Sequence, residues 1–560
     1  MIKWRYPFVF ITFVVLFAIV IGRLFYWQVV KAEMLSDLAR SQYAGVIKVL
    51  PKRGEIKTSD GFPIAASKLS YLLYINPTEV KDKNKTIGAL SFILDLSTAS
   101  ISSQLIPDRL WVPVKAGIEA WKKEEIEKLR LPGVGFEEHF SRFYPEASIA
   151  AQLVGFVGKN EAGQDKGYFG LEGFYDRLLR GKEGHGVELH DALGRPILSK
   201  RSGSTGGSDG GNLFLSIDRS VQFLAEQKLK DGIDRYAALG GMIGIMEPQT
   251  GNIVAMASRP SFSPDKYWEF DESLFKNPFI TNTYEPGSTL KPIVMAGALD
   301  AGLITPQTKC PICSGPVTVK DYDLHTWNDK YFKGTNMIEV IQHSDNTGMV
   351  FVAQKLGVDR MISYLTKFGI GGSTDVDLQG ETIPPLKPKN VWHDVDLATT
   401  GFGQGISITP IELLTAFSSL ANGGKLMQPR VVTAFENANG EVLKIPTKIK
   451  GTPISEKTAK VMTEILVNAV EKGEAQWARV KGYRIAGKTG TASIPVKGHY
   501  DPNSTITSFI GFAPAEKPKF VMLIILDRPT SSIYAAETAA PLFFDIAKDL
   551  LFYYGIPPSE

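Results

Sequence analysis

Three short motifs in a fixed order constrain this chain more than anything else in its 560 residues: Ser288-Thr289-Leu290-Lys291, Ser344-Asp345-Asn346 and Lys488-Thr489-Gly490. Any one of them is also what a capping serine, a solvated lysine or a turn would supply. Together, each in a plausible structural context, they point to acyl transfer through a serine ester. A serine hydroxyl is a weak nucleophile and needs an adjacent base. On a helix, residues three apart share a face, so Lys291 lies one turn along from Ser288 and can reach its oxygen. The expected distance is about 2.6–3.2 Å. Glu285-Pro286-Gly287 reads as a turn and 289–302 as a mostly apolar helix, with Pro292 in its first turn, where a missing N–H costs least. Ser288 then sits at the N-terminus of a buried helix, where the dipole favours developing negative charge. Lysine acts as a base at neutral pH only if its pKa falls from about 10.4 by several units. Burial and a second cation do this, and Lys488 is the candidate cation.

Ser344 and Asn346 flank Asp345, so in a turn or extended loop they can point the same way. Helical patterns on both sides of them predict a loop between two helices. A hydroxyl there can relay a proton to a leaving amine. The amide can hold a substrate carbonyl or the serine–lysine pair. Residues 488–492 read as an edge strand. With no side chain at Gly490, a substrate backbone can lie against that strand and pair with it. Lys488 and Thr489 are then candidates for binding a terminal carboxylate, and the backbone N–H groups of Thr491 and Ser288 for an oxyanion hole.

The N-terminus is the second strong signal. Lys3 and Arg5 precede an uncharged apolar run at 7–22, which 24–30 continues beyond Arg23. The unbroken run is slightly shorter than the roughly 20 residues a bilayer needs. Arg23 can snorkel, and Tyr26 with Trp27 suits an interfacial belt. Basic residues on the short side predict a cytoplasmic tail and an exported bulk. No good A-x-A cleavage site follows, so an uncleaved anchor is expected over a signal peptide. Hydrophobic content of 44%, charged content of 22% and a net charge of +3 are ordinary for a globular chain. With no basic block, nucleic acid is not an expected partner. Seven scattered histidines without HExxH or paired-carboxylate spacing predict no metal, and no cofactor is expected.

Between anchor and motifs, residues 30–200 mix short β-like runs (71–75 and 153–157) with polar helices such as 122–129. The Gly/Ser-rich stretch 202–211 reads as a flexible loop or boundary. After it, 242–258 predicts a hairpin around a Pro-Gln-Thr-Gly turn. Thr409-Pro410-Ile411-Glu412 is a capping box that opens a helix closed at Asn422-Gly423-Gly424. Two apolar strands and a helix end the chain. Cys310 and Cys313 lack a second pair for zinc and a βαβ context for redox chemistry. The spacing leaves a small disulfide or two quiet thiols.

The chain resembles the class B penicillin-binding proteins, to which the motif trio is familiar. The likeness extends to Arg53-Gly54-Glu55-Ile56 with Asp60-Gly61, Arg142-Phe143-Tyr144-Pro145, Gly170-Leu171-Glu172 with Tyr175-Asp176, Ser216-Ile217-Asp218 and Gly401-Phe402-Gly403-Gln404-Gly405. It departs at Asp265, where the family often has asparagine, and at Lys57-Thr58-Ser59. The resemblance implies an α+β fold: an antiparallel sheet of about five strands covered by helices, preceded by an extended β-rich pedestal and one N-terminal transmembrane helix. It implies a cytoplasmic tail at 1–5, an anchor at 6–28, a pedestal at 29–211 and a transpeptidase domain at 212–560. It implies a D,D-transpeptidase of the bacterial cytoplasmic membrane, with its catalytic domain extracytoplasmic. Such an enzyme cross-links peptidoglycan stem peptides through a Ser288 acyl-enzyme and is trapped by β-lactams. Lys291, Ser344, Asn346 and Lys488 complete the implied catalytic set, with Thr489, Gly490 and Thr491 binding substrate. A multispanning glycan polymerase is the implied partner. The alternative is a non-catalytic β-lactam sensor, which need not keep both lysines; a soluble β-lactamase leaves the pedestal unexplained.

Overall fold

The computed structural model describes residues 3–106, 109–146, 149–189, 202–496 and 499–558. Five strands of the C-terminal half form one antiparallel sheet: β1 (Gly240–Glu247), β2 (Asn252–Arg259), β3 (Ala486–Val496), β4 (His499–Ala513) and β5 (Phe520–Asp527), in the order β2-β1-β5-β4-β3. The hairpin expected at 242–258 is β1–β2. The continuous apolar run of β5 follows from its place at the centre, since every residue from Phe520 to Leu526 is buried. Side chains alternate across a strand. Val521, Leu523 and Ile525 therefore enter one core with α5 (Pro410–Ala421), while Met522, Ile524 and Leu526 enter the other with α1 (Arg219–Tyr236) and α7 (Ala539–Tyr553). Burying each such side chain contributes about 1.5–3 kcal/mol. The first core also holds α2 (Lys291–Asp300), α3 (Met337–Gln342), α4 (Asn346–Lys367) and α6 (Glu456–Lys472). Thr409 and Glu412 form the expected capping box of α5.

The chain folds as two compact units. One comprises 1–52 and 181–210. In it, the helix Arg5–Phe25 runs through a π-helical turn, Tyr26–Val30, into Ala32–Tyr43, and Ala44–Val49 pairs with Gly184–Leu189. Residues Arg5–Val30 have a mean hydropathy of 2.7 and no buried residue in that window, so this helix is long and apolar enough to cross a membrane. The Arg23 guanidinium lies 5.2 Å from the Trp27 ring centre, which suits an interfacial cluster. The stretch expected to be a loop from 202 contains a strand, Ser202–Thr205, paired with Gly184–Leu189.

The other unit comprises 53–180 and 211–560. Its N-terminal portion contributes to a seven-stranded sheet in which Pro63–Ile75 pairs with Val112–Ile118 and Val134–Phe143. The Arg53, Arg142 and Glu172 motifs, distant in sequence, meet in one buried ion network. Glu172 accepts from Arg53 Nε at 2.7 Å and from Arg142 Nε at 2.6 Å, and Asp176 accepts from Arg53 at 2.7 Å. The β-like run expected at 153–157 is half helix: Ala151–Val154 is a helical turn, and the strand begins at Phe156. Gly155 separates them at φ +80°, and a Cβ there would lie 2.3 Å from the Phe169 carbonyl oxygen.

Candidate active site

Ser288 lies in a 3-10 turn, Gly287–Thr289, that runs directly into α2, so Lys291 opens the α-helix with Pro292 in its first turn. Ser288 is half-buried while Lys291 is fully buried, so a hydroxyl stands at the rim of an enclosed amine. Ser344 and Asn346 occupy the junction of α3 and α4, the loop between helices that the sequence predicts. Ser344 holds a left-handed backbone at φ +53°, a conformation costing a non-glycine residue about 1–3 kcal/mol. Two flanking anchors impose it. The Asp345 amide donates to the Val340 carbonyl at 2.9 Å, and the Asp345 carboxylate caps α4 by accepting from Gly348 N–H at 3.1 Å and Thr347 Oγ1 at 2.7 Å. The middle residue of that motif is thus a helix cap, a role the residue pattern alone left unassigned.

The Lys291 amine donates to the Ser344 carbonyl at 2.6 Å, to Asn346 Oδ1 at 2.8 Å and to Ser344 Oγ at 3.3 Å. Ser344 Oγ in turn lies 3.0 Å from Ser288 Oγ. The expected direct hydrogen bond between Ser288 and Lys291 is not formed; the Ser344 hydroxyl stands between them. The reason is geometric, since the Lys291 amine points into the Ser344–Asn346 turn, whose three oxygens surround it. Burial drives the Lys291 amine well below its ordinary pKa, the Lys488 charge adds to that, and Asp345 and Glu474 oppose it.

Lys488, Thr489, Gly490 and Thr491 lie on β3, the outermost strand of the five. The Lys488 amine donates to Thr489 Oγ1 at 2.9 Å and to the Thr489 carbonyl at 3.2 Å. Burial lowers its pKa to about 8, against the opposing charge of Glu474. Gly490 is required for a different reason from the one its place on an edge strand suggests. A Cβ there would lie 2.5 Å from Ser508 Oγ and 2.7 Å from Thr289 Cγ2, so glycine lets the serine turn pack onto the strand. Thr491 Oγ1 accepts from Ala535 N–H at 3.1 Å, which ties the 535 loop to the same strand. Gly403 completes the seat: its carbonyl accepts from Gly287 N–H at 3.0 Å, and at φ +84° a Cβ would lie 2.0 Å from the Gly287 oxygen.

A half-buried serine hydroxyl, linked through a second hydroxyl to a buried amine, is an arrangement that can support acyl transfer through the serine. Residues 241–548 match the penicillin-binding protein transpeptidase domain, and residues 48–215 match the penicillin-binding protein dimerisation domain. The chain belongs to the class B penicillin-binding proteins. It is 33% identical to Stage V sporulation protein D of Bacillus subtilis (strain 168), over 100% of this chain and 87% of that protein. It is 27% identical to the peptidoglycan D,D-transpeptidase FtsI of Escherichia coli (strain K12), over 100% of this chain and 93% of that one. A crystal structure of a peptidoglycan synthetase from Bifidobacterium adolescentis superposes with a TM-score of 0.74 at 25% identity, covering 92% of this chain and 98% of that one.

In this penicillin-binding protein, Cys310 and Cys313 form a disulfide, so of the two readings left open the bonded one holds. Sequence reasoning missed Glu474, a lone acidic residue just past α6 that influences both lysines. It missed His325 as well, whose carbonyl accepts from Asn346 Nδ2 at 2.8 Å and fixes that amide. Neither residue belongs to a spaced motif, so only the packing of distant segments exposes it.

Proposed function

We propose that this chain is a serine D,D-transpeptidase that cross-links peptidoglycan stem peptides through an ester on Ser288. The observation that carries the reading is the chain of contacts from Ser288 Oγ through Ser344 Oγ to the buried Lys291 amine, at 3.0 and 3.3 Å. Ser288 attacks the carbonyl of the penultimate residue of a D-Ala-D-Ala stem, and its proton passes by way of Ser344 to the neutral Lys291 amine. Backbone N–H groups of Ser288 and Thr491 receive the oxyanion. The C–N bond then breaks, and D-alanine leaves with the proton returned through Ser344. A neighbouring stem's amine attacks the ester, gives up a proton along the same route, and releases Ser288. Asn346 holds the lysine and the donor peptide, Lys488 and Thr489 bind the terminal carboxylate, and the edge of β3 at Gly490 and Thr491 pairs with the peptide backbone. A β-lactam follows the first half of this path. Its leaving group remains tethered after ring opening, which makes the ester long-lived.

The reading extends to the rest of the chain. Residues 1–5 form the cytoplasmic tail and 6–28 the anchor in a bacterial cytoplasmic membrane. Residues 29–211 form the pedestal, and 212–560 a transpeptidase domain on the extracytoplasmic side of that membrane. A multispanning glycan polymerase docks on the anchor and the membrane-proximal pedestal, because a cross-linking enzyme needs strands delivered beside it. The test is labelling with fluorescent penicillin followed by peptide mapping. Label on Ser288, lost in Ser288→Ala, supports the reading. Label that survives the substitution, or maps to Ser344, refutes it.

A further inference from the structure

Glu474 stands behind the two lysines without belonging to any of the three motifs. It follows Gly473, where a Cβ would lie 2.2 Å from the Ala469 carbonyl oxygen and 3.0 Å from that of Gln342. The glycine lets the end of α6 press against α3 and carries Glu474 toward the site. Its Oε1 is buried and has no hydrogen-bond partner among the described residues. On one side a hollow of about 10 Å³ is lined by Glu474, Lys488 and Thr489. On the other a cavity of about 180 Å³ is lined by Glu474, Asp345, His343 and Lys472. Asp345 Oδ2, in the same cavity lining, is likewise buried without a partner. Among the described residues, both lysine amines hydrogen-bond only to neutral oxygens, those of Ser344, Asn346 and Thr489. A buried ammonium so held still lacks a compensating charge.

We propose that Glu474 is a positioning residue for this chemistry: a carboxylate behind β3 that partners Lys488 across the hollow and keeps its ammonium available to the substrate carboxylate. The inference rests on the acyl-transfer reading above and adds a residue to it. The charged and titratable groups around the centre are Lys291 from α2, His343 and Asp345 from the α3–α4 turn, Lys472 and Glu474 from the end of α6, Lys488 from β3, and Lys330 from the loop lining the larger cavity. Burial pushes Lys488 down to about 8, and Glu474 opposes that fall. Burial and then Lys488 lower Lys291, while Asp345 and Glu474 raise it. Removing the Glu474 charge therefore lowers both lysines. Acylation requires neutral Lys291 on its acidic limb and charged Lys488 on its alkaline limb, so both limbs move to lower pH.

The experiment measures the second-order rate of Ser288 acylation by a fluorescent penicillin from pH 5.5 to 9.5. It uses the full-length protein in detergent as wild type, Glu474→Gln and Glu474→Asp, with the thermal midpoint of each recorded. The expected result is a Gln profile displaced to lower pH, the ratio of its rate at pH 9 to its rate at pH 6.5 falling about tenfold below the wild-type ratio, and an Asp profile close to wild type. A Gln profile that superimposes on wild type, or is reduced equally at every pH, overturns the role of Glu474. Should the Gln variant fail to fold, Glu474→Ala, which also deletes the charge, decides by the same reading: displaced limbs support the proposal and wild-type limbs overturn it. No label on Ser288 in the wild type overturns the acyl-transfer reading itself, whereas label on Ser288 with an undisplaced Gln profile overturns only the part assigned to Glu474.

Discussion

Two groups of buried charges in this protein are built on opposite plans. In the N-terminal portion, proposed above as the pedestal, Arg53, Arg142, Glu172 and Asp176 pair at 2.6–2.7 Å. In the catalytic portion, Lys291 and Lys488 are equally buried, yet they bond to hydroxyl, amide and carbonyl oxygens, while the carboxylates of Asp345 and Glu474 stand off. Charges paired at contact distance stay charged and tie distant segments together. A buried amine without such a partner holds its proton less tightly, and Lys291, which also faces the Lys488 charge, gives it up most readily. The first arrangement makes a joint and the second makes a base. The same residue types serve both ends, and the difference lies in where the compensating charge is placed.

The largest expected effect breaks the catalytic cluster. Lys291→Met removes the base while keeping the volume, and acylation of Ser288 by penicillin should fall by at least about 10²–10⁴-fold, the usual worth of a general base. Labelling at the wild-type rate would show that the proton goes elsewhere. Next is the pedestal. Glu172→Ala leaves two buried guanidiniums short of a partner and should cost about 3–5 kcal/mol of unfolding free energy. An unchanged thermal midpoint would mean that the network contributes nothing to stability.

The sharpest contrast is in sign. Lys291 has a lowered pKa when folded, so the unfolded chain binds its proton more readily and stability falls as pH drops from about 10.4 toward the folded value. Lys291→Met should therefore raise the thermal midpoint at pH 7, with the gain shrinking as pH approaches 10.4. A fall at pH 7 as large as that of Glu172→Ala would erase the distinction between the clusters. A smaller effect is expected at Ser344. Ser344→Gly relieves the left-handed backbone but deletes the relay hydroxyl, so the midpoint should hold or rise slightly while acylation slows. Acylation at full rate would place the proton path directly between Ser288 and Lys291.

Much of the catalytic portion was legible because its signals are local. The Thr409–Glu412 capping box, the 240–259 hairpin and the apolar centre of β5 each follow from spacing within 20 residues. The serine turn and its lysine were legible for the same reason. What escaped depends on segments remote in sequence. The hydroxyl between Ser288 and Lys291 arrives from 56 residues away, and the steric demand for Gly490 comes from Thr289 and Ser508. Glu474 looks like any solvated acid after a helix until α3 and β3 are folded around it. The strand-like run at 153–157 misled because Leu153 and Val154 have β-forming character. Gly155, at φ +80°, lets the chain make a helical turn first. In the pedestal, the motif arginines and carboxylates were recognised as signatures, but that they neutralise one another became visible only in three dimensions.

The claim that the catalytic cluster holds a neutral lysine is open to a direct reading. Protein carrying ¹³C at lysine Cε, compared with its Lys291→Met variant to assign the resonance, can be titrated by NMR from pH 5 to 11. The Lys291 signal should titrate well below the ordinary lysine value of about 10.4. A Lys291 resonance that titrates with the surface lysines would contradict the account.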